Sequence, residues 1–316
     1  MGSLLDAVRE REASGVATGT RTSSSASARK PLPPELFKKF SDFIYQISGI
    51  RFQDSKAYFL SSKLEKRCID LNLPEFEDYY NYLQRPGAKQ TEYHQLLDEI
   101  TINETFFFRN QPQLEVFEKH FLIPMIQKRR GEGKNKMRIW SCAASTGDEA
   151  YTTALQILSL PEARGMQFEI IGTDICRDAI EKGKKAEYKK YGVRNIPQDL
   201  MARYFTVSED GHTFTLKDDV KTMVRFQECN LMDSERIRML GQFDLALCRN
   251  VLIYFDDASK EKALFNIYNA LKDDGFLIAG HSENLYSHRH IFKAVKDHSQ
   301  AHAYEKAPQG TQPSRL

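Results

Sequence analysis

The stretch IWSCAASTGDEAYTTALQI, Ile139 to Ile157, runs from an apolar segment through small residues into an amphipathic one. In open α/β sheets a strand–loop–helix junction of this kind holds nucleotide-like ligands. This loop has one glycine, Gly147, where a G-x-G-x-x-G loop has three, and it lacks the lysine of a P-loop. Pyrophosphate is therefore a poor fit. Suitable groups follow three further apolar runs: Asp174 in GTDI, Asn230 and Leu231 in CNL, and Arg249, Asn250 and Tyr254 in CRNVLIYF. Glu149 adds an acid on the first helical turn after Gly147. An acid at a strand end such as Asp174 commonly accepts hydrogen bonds from ribose hydroxyls. Alone, it is more often a helix cap or a turn residue. Together these residues make a site rich in acids and amides and poor in the basic groups that phosphates favour. That chemistry suits an adenosine-containing ligand with a positive, phosphate-free end, and S-adenosylmethionine with its sulfonium is the obvious one.

A second stretch, TINETFFFRN, places Arg109 after three phenylalanines. At least two of Phe106, Phe107 and Phe108 are expected to pack at a junction between domains. An arginine beside such a cluster is stacked, paired with an acid, or free to receive a carboxylate.

The elements that position these residues follow from periodicity. From Pro31 to about Asn103 the pattern is helical. Leu36, Phe37, Phe40, Phe43, Ile44 and Ile47 share a stripe, and Gly49 is placed to stop that helix. A second helix starts at Asp54 or Ser55 and runs to about Leu71, burying Ala57, Leu60, Leu64 and Cys68. Two more cover PEFEDYYNYLQ and TEYHQLLDEITI. After a further amphipathic helix, PQLEVFEKHFLIPMIQKRR, strands and helices alternate. The strands are MRIWSCA, FEIIGTD, MVRFQE, FDLALCR and GFLIAGH, and helices cover Asp148–Leu158, Arg177–Ala186 and Ala258–Leu271. Such alternation predicts a largely parallel sheet covered on both faces. One interval, 188–224, breaks it: RYFTVSEDGHTFTLKDDV reads as two short strands around Glu209–Asp210–Gly211, a small antiparallel insert.

Composition narrows the class. The chain has 316 residues, 41% hydrophobic and 28% charged, with a net charge of only +2. That gives no electrostatic case for nucleic acid or an anionic membrane, and no apolar run is long enough to span a bilayer. The N-terminus lacks the layout of a signal peptide or a myristoylation motif, so a cytoplasmic protein is expected. The five cysteines are widely spaced with no C-x-x-C pair, which suits buried core residues in a reducing compartment. His281, His288 and His290 lack the acid or cysteine spacing of a metal site, so no metal is expected. Ser/Thr/Ala/Gly-rich residues 1–30 and the tail 307–316 are expected to be disordered.

TINETFFFR, SCAASTGDEAYT, GTDI, CNL, CRNVLIYFD and GHSENL, in this order, resemble the CheR family of chemotaxis receptor glutamate methyltransferases. The resemblance covers Pro31 to about Lys306. It implies an all-α domain over 31–105, then a Rossmann-like S-adenosylmethionine-dependent methyltransferase domain over 106–306 with its antiparallel β-insert. It places Asn103, Thr105, Arg109, Glu149, Asp174, Asn230, Leu231, Arg249 and Asn250 around S-adenosylmethionine, with Arg109 and Tyr254 nearest the reacting carboxylate. The sequence has Ala150 where the family often has proline and Ile102 where threonine is common. The implied activity is methyl transfer to glutamate side chains of receptors, giving methyl esters and S-adenosylhomocysteine. Methylation of another carboxylate and a non-catalytic S-adenosylmethionine-binding adaptor are the alternatives.

The implied partner is the cytoplasmic helical region of methyl-accepting receptors, met by a monomer. Lys56, Lys63 and Arg67 fall on one side of the second helix, which in the family meets acidic receptor helices. Some members also hold a receptor C-terminal pentapeptide on the insert's edge by β-augmentation, using a longer glycine-rich loop. Here the turn SEDGHT is short and carries two acids, so docking independent of the pentapeptide is expected.

Overall fold

The first helix, Pro34–Ser48, forms because Phe37, Phe40, Phe43 and Ile44 recur on one stripe, and all four are buried. It stops at Gly49, whose φ of 78° and N–H bond to the Tyr45 carbonyl make a left-handed cap. The computed structural model describes residues 31–308. The tails expected to be disordered lie outside the described residues, apart from Ala307 and Pro308. Ala307 is buried and donates its N–H to the Ile291 carbonyl. Helices Ala57–Asp70, Phe76–Leu83 and Ala88–Ile100 pack with the first around Leu60, Leu64, Tyr79, Leu83 and Leu96. Ala57, expected in that core, is only half-buried at its edge.

The connecting helix is interrupted. Gln111–Phe117 continues through a π-helical turn, Glu118–Leu122, into Ile123–Gly131. Pro124 enters without an N–H, so the ladder cannot run through that turn in its regular register.

The strands are β1 Lys136–Ser141, β2 Gln167–Asp174, β3 Glu187–Lys189, β4 Phe205–Val207, β5 Thr213–Leu216, β6 Val224–Glu228, β7 Phe243–Cys248, β8 Leu271–Ala279, β9 Phe292–Ala294 and β10 Ala303–Lys306. Seven form one sheet in the order β6-β2-β1-β7-β8-β10-β9, with β6 through β8 parallel and the last two strands antiparallel. Side chains alternate between its faces. Ile139, Ile170 and Leu245 pack under helix Asp148–Ser159, whereas Trp140, Ile171 and Ala246 pack under helix Asp257–Ala270. Strand order reverses at β1, between β2 and β7, and the crevice outside the carboxyl ends there is the ligand position of open α/β sheets.

The insert is a three-stranded antiparallel sheet, β3-β5-β4. The sequence reading has its last two strands and misses β3, a three-residue Glu-Tyr-Lys segment too short to show a period.

The helical domain meets the sheet domain at loops that follow β6 and β7. Ile50 bridges to Phe255, Asn230 Nδ2 donates to the Ile47 carbonyl at 2.9 Å, and the Tyr45 hydroxyl donates to Asp256 at 3.2 Å.

Candidate functional site

Between β1 and helix Asp148–Ser159 the backbone folds back tightly. Ser145 has φ 50° and Gly147 φ 92°, and a Cβ on Gly147 would stand 2.7 Å from the Phe226 ring. Only glycine meets both conditions. Asp174, at the end of β2, holds this turn from below. Its Oδ2 accepts from Ser145 N at 2.8 Å and its Oδ1 from Cys176 N at 2.9 Å. Burial pushes its carboxyl above the usual range, opposed by these N–H groups. Each oxygen retains acceptor capacity for a hydroxyl.

At the end of β7, Arg249 is a buried hub. Its Nε donates to Gln113 at 3.1 Å, Nη1 to Glu149 at 3.2 Å and Nη2 to the Arg109 carbonyl at 2.6 Å. Glu149 also accepts from the Ser141 hydroxyl at 2.7 Å. Burial raises the Glu149 pKa, and Arg249 acts against that rise.

The TINETFFFRN segment divides its phenylalanines as expected in number, though the place differs. Phe107 and Phe108 are buried in the core of the sheet domain, with Phe107 4.7 Å from Tyr188 and 5.6 Å from Phe205 of the insert region. Phe106 stays half-buried, with the Arg194 guanidinium 3.6 Å and that of Arg109 5.7 Å from its ring centre. Arg109 is bracketed by two non-glycine residues of positive φ, Phe108 at 54° and Asn110 at 64°. Strain of this kind concentrates where a side chain must be aimed. Its Nη1 donates to the Glu104 carbonyl at 3.0 Å.

These loops border one cavity of about 340 Å³. Asn103, Thr105, Arg109, Glu149, Asp174, Asn230, Leu231, Arg249, Asn250 and Tyr254 all lie on its wall, as does Lys56. Asn103 and Asn230, like the residues above, also have duties inside the protein. Asn103 donates to Thr101 Oγ1 and to Cys176 Sγ, each at 3.2 Å. Asn230 gives Nδ2 to Ile47 and takes the Met232 N–H on Oδ1, clasping the two domains. Tyr254 is half-buried; burial raises its phenol pKa, and its carbonyl accepts from Arg51 N at 3.3 Å.

Lys63 and Arg67 are absent from that wall. Lys63 is 3.9 Å from Glu99. Arg67 overturns its assignment to a docking surface: it is buried and forks onto Glu92 with two 2.9 Å bonds, while Tyr79 donates to the same carboxylate at 2.7 Å. Helical spacing puts it beside Lys63, but the helix Ala88–Ile100 covers it and supplies its counter-charge.

Gln113, Glu283 and Arg51 carry no signal of their own in the sequence. Gln113 divides its bonds between the Ala279 and Ala301 carbonyls and the side chains of Arg249 and Asn110, and Glu283 meets backbone amides, pairings that residue type does not reveal; Glu283 does fall within the GHSENL motif.

The donor set fits S-adenosylmethionine. Asp174 can serve a ribose, an acid–arginine pair faces the same cavity, and the loop after β1 has neither the three glycines nor the P-loop lysine that cradle phosphates. Comparison with known sequences agrees. Residues 103–301 match the CheR methyltransferase, SAM binding domain, and residues 35–101 the CheR methyltransferase, all-alpha domain. Chemotaxis protein methyltransferase 2 of Vibrio cholerae is 35% identical over 87% of this chain and 93% of its own length. The chemotaxis protein methyltransferase of Escherichia coli is 31% identical over 80% of this chain and 85% of its own. That of Borreliella burgdorferi is 29% identical over 78% and 87%. With both domains matched in order and a cavity of this composition between them, the chain belongs to the CheR methyltransferase family and is an S-adenosylmethionine-dependent methyltransferase.

Proposed function

We propose that Arg109 and Tyr254 orient the carboxylate of a chemotaxis-receptor glutamate for methyl ester formation. The observation that carries this reading is that both line the same cavity as Asp174 and Glu149. A glutamate with a pKa near roughly 4.3 is already ionised at neutral pH, so no general base is required. Bound S-adenosylmethionine supplies a methyl group on a sulfonium and leaves as the neutral S-adenosylhomocysteine. Opposite charges vanish in that step, which a water-excluding cavity favours once both ions are desolvated.

The protein's part is positioning. Arg109 already commits one N–H to the Glu104 carbonyl, which fixes its direction. Its remaining donors orient the acceptor without the tight fork that would blunt a nucleophile. Tyr254 keeps its proton at neutral pH, as a phenol ordinarily does, and burial only strengthens its hold, so it offers an O–H to the second carboxylate oxygen. Arg249 acts through others: it fixes the Glu149 carboxylate and the Arg109 backbone together.

The receptor's helical methylation region is the partner in this reading, met directly at the cavity mouth, without a tethered pentapeptide. The insert's turn is closed on itself: Gly211 N donates to Ser208 O, Ser208 N to Thr213 O, and His212 N to Asp210. The protein should produce base-labile methyl groups on receptors when incubated with labelled S-adenosylmethionine and receptor-bearing membranes. Arg109→Ala should cut that transfer by about 100-fold or more with an unchanged circular dichroism spectrum. Unfolding of that variant would instead assign Arg109 to the core.

A further inference from the structure

Glu283 lies in the loop after β8 and is 4% exposed. Its carboxylate meets four backbone N–H groups: Oε2 accepts from Gly280 N at 2.7 Å and Asn250 N at 2.8 Å. Oε1 accepts from Val251 N at 2.8 Å and Leu252 N at 2.7 Å. Three of those donors are consecutive residues of the turn after β7. That turn opens with Asn250 at φ 61°, a left-handed conformation rare outside glycine, and leads directly into the 3-10 segment Leu252–Tyr254. Consecutive amides pointing inward form a nest for an anion, and here the chain supplies the anion from the next strand's loop.

We infer that Glu283 is a positioning residue: its carboxylate sets the turn that brings Tyr254 to the cavity wall. The inference rests on Tyr254 acting on the acceptor. Without the carboxylate, three adjacent amides would be left facing each other and Asn250 would relax toward an ordinary φ, carrying the Tyr254 ring with it. Gly280 is the second component. A Cβ there would stand 2.5 Å from Glu283 Oε2 and 3.0 Å from Asn250 N, so the strand end must carry no side chain for the carboxylate to seat.

Two variants separate position from charge. Glu283→Gln keeps the shape but turns an amide N–H toward backbone donors; Gly280→Ala keeps the charge but displaces it. Each should lower kcat for receptor methylation by about 10–100-fold; because Asn250 opens the same turn, the Kd for S-adenosylhomocysteine by calorimetry should rise too, but by a smaller factor than kcat falls. Arg109→Ala is run beside them. Loss of kcat in Arg109→Ala with wild-type kcat in both new variants overturns this inference alone. Loss in Glu283→Gln with wild-type kcat in Gly280→Ala also overturns it, because charge rather than position would then matter. Loss that tracks the unfolded fraction, with kcat per folded molecule unchanged, reduces Glu283 to a structural group and overturns it as well. No change in Arg109→Ala instead removes the reading of the acceptor site on which it rests.

Discussion

Asp174 has one task that the fold shows and one that is proposed for it. Its place at a strand end is the expected position of a ribose acceptor, while its hold on Ser145 and Cys176 appears only once the chain folds. Asp174→Ala should therefore weaken S-adenosylmethionine binding by more than one charge-assisted bond of about 1.5–3 kcal/mol, since the cofactor loop is released as well. Calorimetry giving unchanged affinity would remove Asp174 from the site. Asp148, one residue before Glu149, is a different kind of acid. It is buried, accepts from the Thr146 hydroxyl, and has its pKa pushed up by burial from 3.8 to about 6. Between those two values the folded chain holds more protons than the unfolded chain, so stability falls as pH rises through that window and stays lower above it. Asp148→Asn removes the penalty. The variant should gain up to about 3 kcal/mol at pH 8 and progressively less toward pH 5 in urea melts. An equal shift at both pH values would mean that the charge is not what matters there.

At the scale of elements, Arg67 joins helix Ala57–Asp70 to helix Ala88–Ile100 through Glu92. Glu92 raises the Arg67 pKa further above its already high value and keeps it charged. Breaking a buried pair leaves the other charge uncompensated, at about 3–5 kcal/mol. Arg67→Ala should lose stability of that order in denaturant melts, while receptor methylation per folded molecule stays near wild type. A rate loss without a stability loss would restore Arg67 to the docking surface. The same comparison shows what sequence can convey. The stripe of Phe37, Phe40, Phe43 and Ile44, the strand cores and the acids at strand ends all follow from periodicity and local chemistry. Arg67 and Lys63 look alike in that pattern because burial of one depends on a helix more than twenty residues later. Strands β3 and β9 have three residues each, and β10 has four, so pairing partners rather than period define them. Glu283 escapes because its partners are backbone amides, present at every position, and Gln113 because Arg249 and the Ala279 and Ala301 carbonyls lie far along the chain.

For the molecule as a whole, the cavity opens where both domains contribute wall: Arg51, Phe52 and Lys56 from the helical side, Ile253 and Tyr254 from the sheet side. Ile102 and Ile253, about half exposed at 52% and 47%, give this mouth an apolar rim, with the exposed Lys56 as its cation. A receptor helix that inserts a glutamate here must lay its adjoining turns on that rim. With Arg67 buried, Lys63 beside Glu99 and Arg51 paired with Asp42 at 2.9 Å, the charge that remains best placed for an acidic helix is Lys56. Lys56→Glu should lower receptor methylation mainly through KM, and the difference from wild type should shrink as salt rises and the Debye length falls from about 10 Å at 0.1 M toward about 3 Å at 1 M. S-adenosylhomocysteine affinity should change little, because Asp174 and its bonds to Ser145 and Cys176 are untouched. Added receptor C-terminal pentapeptide should neither bind at micromolar concentration nor alter the rate. A salt-independent Lys56→Glu defect would point to damage within the cavity. Micromolar pentapeptide binding would place docking on the insert's edge, with the rim left to align the glutamate once the receptor is held.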